Sequence, residues 1–348
     1  MKKALLLSFL LLSITVYAQK LPRIKILATG GTIAGKGASA DRSAYNAGEL
    51  PIEDLIAAVP GIEKIATISG EQISNVGSQD MSVEIWMKLN KRINEIYKRN
   101  EADGVVITHG TDTQEETAYF LSLTLRYDKP VIVTGSMRPA TAISADGPKN
   151  LYDAIVVAGS KEASHSGVLL TFSENIFSPR EVSKTNTTHV DAFTSPNSGP
   201  IGRVYDGKVV MYQTQLRKVN KSTPFDIAGL TSLPEVSIIE LYAGASAVGL
   251  NASITAGVKG IITAGLGNGN LNKANAEAVA EATKAGITVV RSSRTGAGRV
   301  TLLGETNDEK LGTIVADDLS PQKARILLML GLTKTTDKKQ LQQYFFEY

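Results

Sequence analysis

Short apolar runs alternate with longer amphipathic stretches along most of the chain. Runs rich in β-branched residues predict buried strands, and stretches with an apolar residue every three or four positions predict helices. In the N-terminal half, the predicted strands cover residues 24–28, 65–73, 105–108, 130–134 and 167–172, and the predicted helices cover residues 82–99, 113–126 and 148–158. Strands that alternate with helices in this way indicate a parallel sheet with helices on both faces.

The pattern changes after residue 194. Two short runs turn at Asp206-Gly207, which is a hairpin signal. Residues 213–234 are polar and lack periodicity, so we interpret them as a linker between domains. A second, smaller group of strands and helices follows. Its predicted strands cover residues 236–241, 260–263 and 288–291, and its predicted helices cover residues 274–285, 321–330 and 337–346.

The sequence therefore predicts an α/β protein of two domains. The larger N-terminal domain, residues 19–212, has a mainly parallel, doubly wound sheet plus a hairpin. The smaller C-terminal α/β domain, residues 235–348, has a parallel sheet of its own. Ligands of open parallel sheets bind outside the carboxyl ends of the strands, so functional residues are expected there.

Residues 1–18 have the pattern of a secretory signal peptide. Lys2 and Lys3 form a positive start, residues 4–16 are mostly apolar, and Val16-Tyr17-Ala18 fits a cleavage site. The alternative is an uncleaved anchor, which is disfavoured because the run is shorter than the roughly 20 residues that span a membrane. We therefore expect a periplasmic or secreted protein that has no membrane contact after cleavage.

The composition limits which side chains could catalyse a reaction or bind a metal. The chain of 348 residues has no Cys, three His and a formal net charge of +3. The lack of Cys excludes disulfides, thiolate metal sites and Cys nucleophiles, and three His leave little for a His-built metal site. Loss of Lys2 and Lys3 with the signal peptide would leave a charge of +1, which argues against nucleic acid as a partner. We expect no metal and no cofactor.

Four glycine-containing polar tracts follow predicted strand ends. They cover residues 29–35, 77–81, 108–113 and 135–139, and each places a hydroxyl directly after a glycine. These hydroxyls belong to Thr32, Ser78, Thr111 and Ser136. Without Cys, a Thr or Ser hydroxyl is the natural nucleophile, and a Lys or Tyr can activate it in place of His.

Three of these tracts also have a purely structural interpretation. Thr32 could serve a turn alone, and residues 30–36 resemble a phosphate-binding loop except that Gly37 stands where Ser or Thr would hold magnesium. Thr111 with Gln114, or Thr113 with Glu116, could form a helix capping box, and Asp80 could cap the helix that begins near Ser82. A single cap does not explain why His, Thr and Asp crowd into one strand end.

Taken together, the tracts resemble the bacterial L-asparaginase family, and in particular its exported, type II branch. The resemblance covers nearly the whole chain after the signal peptide. The motifs that carry it are residues 28–35, 77–81, 107–113, 137–139, 144–148, 184–187, 267–270, 291–294 and 321–325. The resemblance implies hydrolysis of the side-chain amide of L-asparagine to L-aspartate and ammonia.

The resemblance implies catalytic roles for five residues. Thr32 matches the primary nucleophile, and Tyr45 matches the tyrosine of the same flexible loop that activates it. Thr111, Asp112 and Lys184 match a second hydroxyl–carboxylate–lysine group that supports the reaction. Lys184 by itself would be interpreted as part of a surface ion pair, so its assignment depends on the resemblance.

The resemblance also implies a substrate site shared between subunits. Its residues would be Gly31, Ser78, Gln79, Thr111, Asp112, Ser136, Asn270 and Glu305. Asn270 and Glu305 match residues that reach the site from a neighbouring subunit, and the family implies a homotetramer built as a dimer of dimers. The oxyanion formed on attack needs donors, which we expect from N–H groups at Thr111 or in the Gly30-Gly31 turn.

Alternatives stay open at this point. Glutamine is one methylene longer than asparagine, which is worth only about 1–3 kcal/mol in discrimination, so some L-glutaminase activity is expected. An exported chain with two α/β domains is also typical of solute-binding proteins, and another amide could be the substrate on the same scaffold. Release of ammonia from asparagine would separate an enzyme from a binding protein.

Overall fold

The structure is a computed structural model that describes residues 20–37, 45–46, 51–215 and 217–348, with the backbone alone for residues 36, 37, 45 and 46. The predicted signal peptide, residues 1–18, lies outside the described residues. Within the described ranges, no helix is both long enough and apolar enough to cross a membrane.

The described residues form sixteen strands and nine α-helices. The strands are β1 Arg23–Gly30, β2 Lys36–Gly37, β3 Tyr45–Asn46, β4 Thr67–Val76, β5 Gly104–Thr108, β6 Val131–Thr134, β7 Val168–Phe172, β8 Asn175–Phe177, β9 Ser183–Lys184, β10 Phe193–Thr194, β11 Gly202–Tyr205, β12 Lys208–Met211, β13 Val236–Glu240, β14 Gly260–Gly265, β15 Thr288–Ser293 and β16 Ile314–Val315. The helices are α1 Ile52–Ala57, α2 Val83–Lys98, α3 Gln114–Thr124, α4 Gly147–Gly159, α5 Val248–Ala256, α6 Lys273–Lys284, α7 Asp308–Leu311, α8 Pro321–Leu332 and α9 Lys338–Glu347.

The larger sheet has eight strands in the order β12-β11-β8-β7-β6-β5-β1-β4. The five strands from β7 to β4 are parallel, and β8, β11 and β12 extend the sheet by antiparallel pairing. The β11–β12 hairpin turns at Asp206-Gly207, where φ is 46° and 72°, because a tight hairpin needs left-handed residues there. The predicted mainly parallel sheet with a hairpin is confirmed.

Helices cover both faces of this sheet because its central strands are apolar on both sides. In β5, Val105 and Ile107 pack in the cluster that contains α2 and α3. Val106, which points to the opposite face, packs in the cluster that contains α4. Side chains of successive strand residues alternate between faces, so an unbroken apolar strand requires a cover on each face.

The smaller sheet contains β13, β14, β15 and β16 in that order, and all its pairings are parallel. One face packs on α5 and α6, whereas the other face packs on α8 and joins the core of the larger domain. Phe225, in the polar segment between the sheets, is fully buried, and its ring lies 5.2 Å from the rings of Tyr344 and Tyr348. This segment is therefore fastened to the C-terminal domain.

Candidate active site

The four polar tracts meet at one edge of the larger sheet. They follow β4, β1, β5 and β6, which are neighbours in the sheet. The parallel strands end on the same side, so the hydroxyl-bearing loops converge there. This juxtaposition follows from the strand order.

Glycines let three of these loops approach one another closely. Gly31 has φ 83°, and a Cβ there would lie 2.3 Å from Gly110 N. A Cβ on Gly110 would in turn lie 2.7 Å from Ser78 Oγ. Only glycine fits such a contact and tolerates the left-handed backbone. Thr32 follows Gly31 directly and is buried in a single turn of 3₁₀ helix.

The Gly31 N–H group corrects one expectation. It donates a hydrogen bond to Val76 O over 3.0 Å, so it is already used within the fold. Gly31 therefore contributes close approach to the site and does not supply an oxyanion donor in this conformation. The N–H groups of Gly30 and Thr111 are the other expected donors.

Lys184 joins the tract after β5 from a distant part of the chain. Its Nζ lies 2.9 Å from Thr111 Oγ1 and 2.7 Å from Asp112 Oδ1. Thr111 is buried, whereas the Asp112 side chain is 59% exposed. The ammonium group thus connects a buried hydroxyl with a carboxylate that faces solvent, which is an arrangement that can hold and move a proton.

Glu115 and α8 hold the backbone that carries Lys184. The buried Glu115 carboxylate accepts from Lys184 N over 2.5 Å and from Gln322 Nε2 over 2.9 Å. Lys323 donates to Arg180 O and Val182 O, and burial lowers the pKa of this lysine. Sequence reasoning assigned no role to these residues, although Gln322 and Lys323 lie in the motif at 321–325. Ionisable groups within apolar helices are a further signal, since such groups are rarely buried without a partner.

Ser78 locks the tract after β4 to the tract after β5. Its Oγ accepts from Asp112 N over 3.1 Å, and its carbonyl accepts from the Thr113 hydroxyl over 2.8 Å. The capping-box interpretation of Thr113 is wrong, because its side chain makes no cap hydrogen bond. The preceding helix is capped by Ser82. Asp80 instead accepts from Gln79 Nε2 over 3.1 Å.

Ser136 shapes the fourth loop. It is buried, and its hydroxyl donates to Arg138 O over 2.7 Å. Asp146 accepts from the backbone N–H groups of residues 137 and 138 over 2.9 Å each. A Cβ on Gly147 would lie 3.1 Å from Ile33 Cγ1. The start of α4, which Asp146 ties to the fourth loop, therefore packs against the turn that contains Thr32.

The remaining assigned residues are Tyr45, Asn270 and Glu305. The Tyr45 backbone pairs with Gly37 in the β2–β3 ladder, and its side chain lies outside the described part of the chain. Asn270 and Glu305 come together on the C-terminal domain, where Asn270 Nδ2 donates to Glu305 Oε2 over 2.5 Å. The structure thus yields two groups of site residues, one in each domain.

His109 has a structural explanation. It is fully buried, and its Nδ1 lies 2.7 Å from Gly110 O. Its Nε2 lies 2.8 Å from Thr117 Oγ1, which also accepts from Trp86 Nε1 over 2.7 Å. Burial lowers the pKa of His109 to about 4, so the ring is neutral at pH 7 and orients the peptide next to Thr111.

No group of three or more His, Asp or Glu side chains is arranged to hold a metal within the described ranges. The site instead offers buried hydroxyls, one ammonium group and a carboxylate. The fold and these groups define an α/β enzyme of two domains with a hydroxyl–lysine–carboxylate group at one sheet edge.

Comparison with known proteins supports this class of enzyme. Residues 23–217 match the family model "Asparaginase, N-terminal", and residues 235–345 match "Glutaminase/Asparaginase C-terminal domain". L-asparaginase 2 of Escherichia coli is 48% identical over 98% of both chains. The probable periplasmic L-asparaginase of Haemophilus influenzae is 51% identical over 95% of this chain and 94% of its own length.

A solved structure of a related protein has the same fold. The probable cytoplasmic L-asparaginase from Campylobacter jejuni has a TM-score of 0.91 and 50% sequence identity, over 94% of this chain and 100% of its own length. The chain therefore belongs to the asparaginase/glutaminase family and is an asparaginase enzyme. The names of these relatives place them in different compartments.

Proposed function

We propose that the protein hydrolyses the side-chain amide of L-asparagine to L-aspartate and ammonia through a Thr nucleophile and an acyl-enzyme. The observation that carries the proposal is the hydrogen-bonded group of Lys184, Thr111 and Asp112 on a loop that touches the glycine before Thr32. A hydroxyl hydrogen-bonded to an ammonium group, on a loop next to the one that carries Thr32, suits acyl transfer, because a hydroxyl becomes nucleophilic only when its proton is accepted nearby.

In the proposed reaction, Thr32 Oγ1 attacks the amide carbon, and its proton passes through the Tyr45 hydroxyl to the amide nitrogen. The tetrahedral intermediate then breaks its C–N bond, and ammonia leaves with that proton. Water attacks the resulting ester; its hydroxyl stays on the aspartate, which is released, and its other proton passes to Thr32 Oγ1 as the ester bond breaks. Thr111, Lys184 and Asp112 supply a proton path beside the reacting carbon.

The proposed substrate site uses charge complementarity. Ser78 and Gln79 bind the α-carboxylate, and Asp112 with Glu305 and Asn270 binds the α-ammonium group, since charged hydrogen bonds are the stronger ones. Gly31 and Ser136 shape the floor of the same site. No cofactor takes part in the proposed reaction.

The first test is the Thr32→Ala variant. We expect turnover of asparagine to fall on the order of a thousandfold or more, because the covalent route is lost. The melting temperature should change little, and Thr231→Ala, at an exposed threonine, serves as the matched control. Turnover within tenfold of the parent would contradict the assignment of the nucleophile.

The proposal extends to glutamine, because one methylene changes binding by only about 1–3 kcal/mol. Ammonia release from the two amino acids at equal concentration measures the preference. A chain that released ammonia from asparagine and none from glutamine would limit the proposal to asparagine.

We also propose a homotetramer, built as a dimer of dimers, in which Asn270 and Glu305 complete the site of a neighbouring subunit. Mixed oligomers of Thr32→Ala and Glu305→Ala chains should then regain activity, because some sites combine the two intact halves. Absence of any regain would indicate that each site is built within one chain.

For location, we propose export to the periplasm or the medium, directed by residues 1–18. Cell fractionation and N-terminal sequencing of the mature protein test this proposal. A protein that begins at Gln19 supports it, whereas a cytoplasmic protein that retains residue 1 contradicts it.

A further inference from the structure

A buried ion pair underlies the group of site residues on the C-terminal domain. Arg291 is 1% exposed and Asp308 is 2% exposed, which makes Arg291 the largest fully buried side chain among the described residues. Its Nε lies 2.6 Å from Asp308 Oδ1 and its Nη2 lies 2.8 Å from Asp308 Oδ2. This two-pronged geometry is specific to arginine.

The rest of the guanidinium group holds the turn that ends at Asn270. Nη1 donates to Asn268 O and to Gly269 O over 3.2 Å each. Ser293, two positions along β15, donates to Gly267 O over 2.6 Å. Three successive carbonyls of the turn are thus fixed by two side chains of one strand.

The same ion pair holds the loop that leads to Glu305. Arg291 Nη2 donates to Thr301 O over 3.2 Å, and Asp308 Oδ2 accepts from Leu303 N over 2.9 Å. Asn268 Oδ1 accepts from Thr301 N over 2.8 Å and ties the loop to the turn. Glu305 is therefore placed by both members of the pair.

Gly269 shows how closely the turn that ends at Asn270 packs against Arg291. It has φ 72°, and a Cβ there would lie 2.8 Å from Val300 Cγ1 and 3.2 Å from Arg291 Nη1. The turn can approach the guanidinium group only because this position lacks a side chain.

We infer that Arg291 and Asp308 are positioning residues that set the Asn270–Glu305 contact and so determine recognition of the substrate's α-ammonium group. The inference rests on the proposed function, in which Asn270 and Glu305 bind that group. The pair takes no direct part in bond making, because its recorded hydrogen bonds join its two members to each other, to the two loops and to the Thr313 hydroxyl, which donates to Asp308 Oδ1 over 2.6 Å. Its effect should appear in substrate selection.

The test compares L-asparagine with succinamate, which has the same amide and carboxylate but no α-amino group. In Arg291→Lys, the charge stays but the two-pronged fork is lost. We expect kcat/KM for asparagine to fall about 10- to 100-fold, mainly through KM, while kcat/KM for succinamate changes little. Arg299→Lys is the matched control, because Arg299 also binds a carboxylate, that of Asp317, with two nitrogens.

A second variant separates positioning from folding. Arg291→Met with Asp308→Leu replaces the pair by apolar groups, which preserves stability better than removal of one charge. If its melting temperature stays close to that of the parent, the ratio of kcat/KM for asparagine to kcat/KM for succinamate should still fall. Equal losses on both substrates, or an unchanged ratio, in this variant and in Arg291→Lys would overturn the inference.

Glu305→Gln provides the reference for the proposed function. If Glu305→Gln lowers the asparagine-to-succinamate ratio and the Arg291 variants do not, the positioning role fails and the substrate site stands. If Glu305→Gln leaves the ratio unchanged, the substrate site and the positioning role both fail. A lower ratio in all three variants, with the Arg299→Lys ratio unchanged, supports the inference.

Discussion

Replacement of Gly31 by Ala adds one methyl group where two strand-end loops touch. The Cβ would lie 2.3 Å from Gly110 N and 2.4 Å from Gly110 Cα, whereas real Cβ contacts under 3.0 Å are essentially absent. Both neighbours are backbone atoms, so a side-chain rotation cannot relieve the clash. One of the loops must therefore retreat by about 0.7 Å or more.

That retreat would move the proposed nucleophile. A misplacement of about 1 Å costs roughly 100-fold in rate, so Gly31→Ala should lower kcat for asparagine by about that factor. The substitution also places Ala in the left-handed region, which costs about 1–2 kcal/mol. Gly257 separates the two effects, because it has φ 74° and a Cβ there would meet nothing within 4 Å.

The assay pairs ammonia release with thermal unfolding. Gly257→Ala should lower the melting temperature by a few degrees, at about 2–4 °C per kcal/mol for domains of this size, and keep full turnover. Gly31→Ala should lower both. If Gly31→Ala kept turnover within threefold of the parent and matched the melting temperature of Gly257→Ala, the reasoning from close contact would be refuted.

Two more predictions concern ionisable groups. Lys184→Met should lower turnover about 10²- to 10⁴-fold by removing the donor to Thr111, whereas Lys218→Met, which breaks a surface pair with Glu347 of similar length, should leave turnover unchanged in the same assay. Burial raises the pKa of Glu116 to about 7, so the folded protein holds a proton there that the unfolded chain releases above about pH 4.5. Stability from this group is present below pH 4.5 and is lost as the pH rises through 7; relative to Glu116→Gln, the parent should lose about 3 kcal/mol of unfolding free energy between pH 4.5 and 8. Urea unfolding at the two pH values checks this, and an equal difference at both would contradict it.

Much of the fold could be predicted because buried apolar residues recur along the sequence at the period of a helix or a strand. β5 and β6 are buried throughout and are apolar and mainly β-branched up to their final Thr108 and Thr134, and α2 has apolar residues at helical spacing. Helix α5 was missed since its apolar residues do not mark one face: Val248 is 70% exposed, whereas Leu250 is fully buried. The packing of Phe225 was also hidden, because a single aromatic residue in a polar segment has no period.

Only part of the candidate site could be predicted from the residues alone. The hydroxyl-bearing tracts could be found from strand ends alone, since parallel strands bring their carboxyl ends together. The place of Lys184, 73 positions from Thr111, came only from the resemblance. Arg291 and Gln322 lie in motifs of the resemblance. Their pairing with Asp308 and with Glu115, which is 207 positions from Gln322, could not be predicted, because contacts between separate elements depend on how the whole chain packs.

The contacts of α8 with the segment before Lys184 limit how such a protein can be recombined. Gln322 and Lys323 belong to the C-terminal domain, yet they fasten Glu115 and the carbonyls of residues 180 and 182 in the other domain. A chimera that joined halves of two relatives would inherit a correctly held lysine only if both partners of these contacts came from compatible parents. An exchange of domains therefore keeps Lys184 in position only when both sides of these contacts are exchanged together or are compatible.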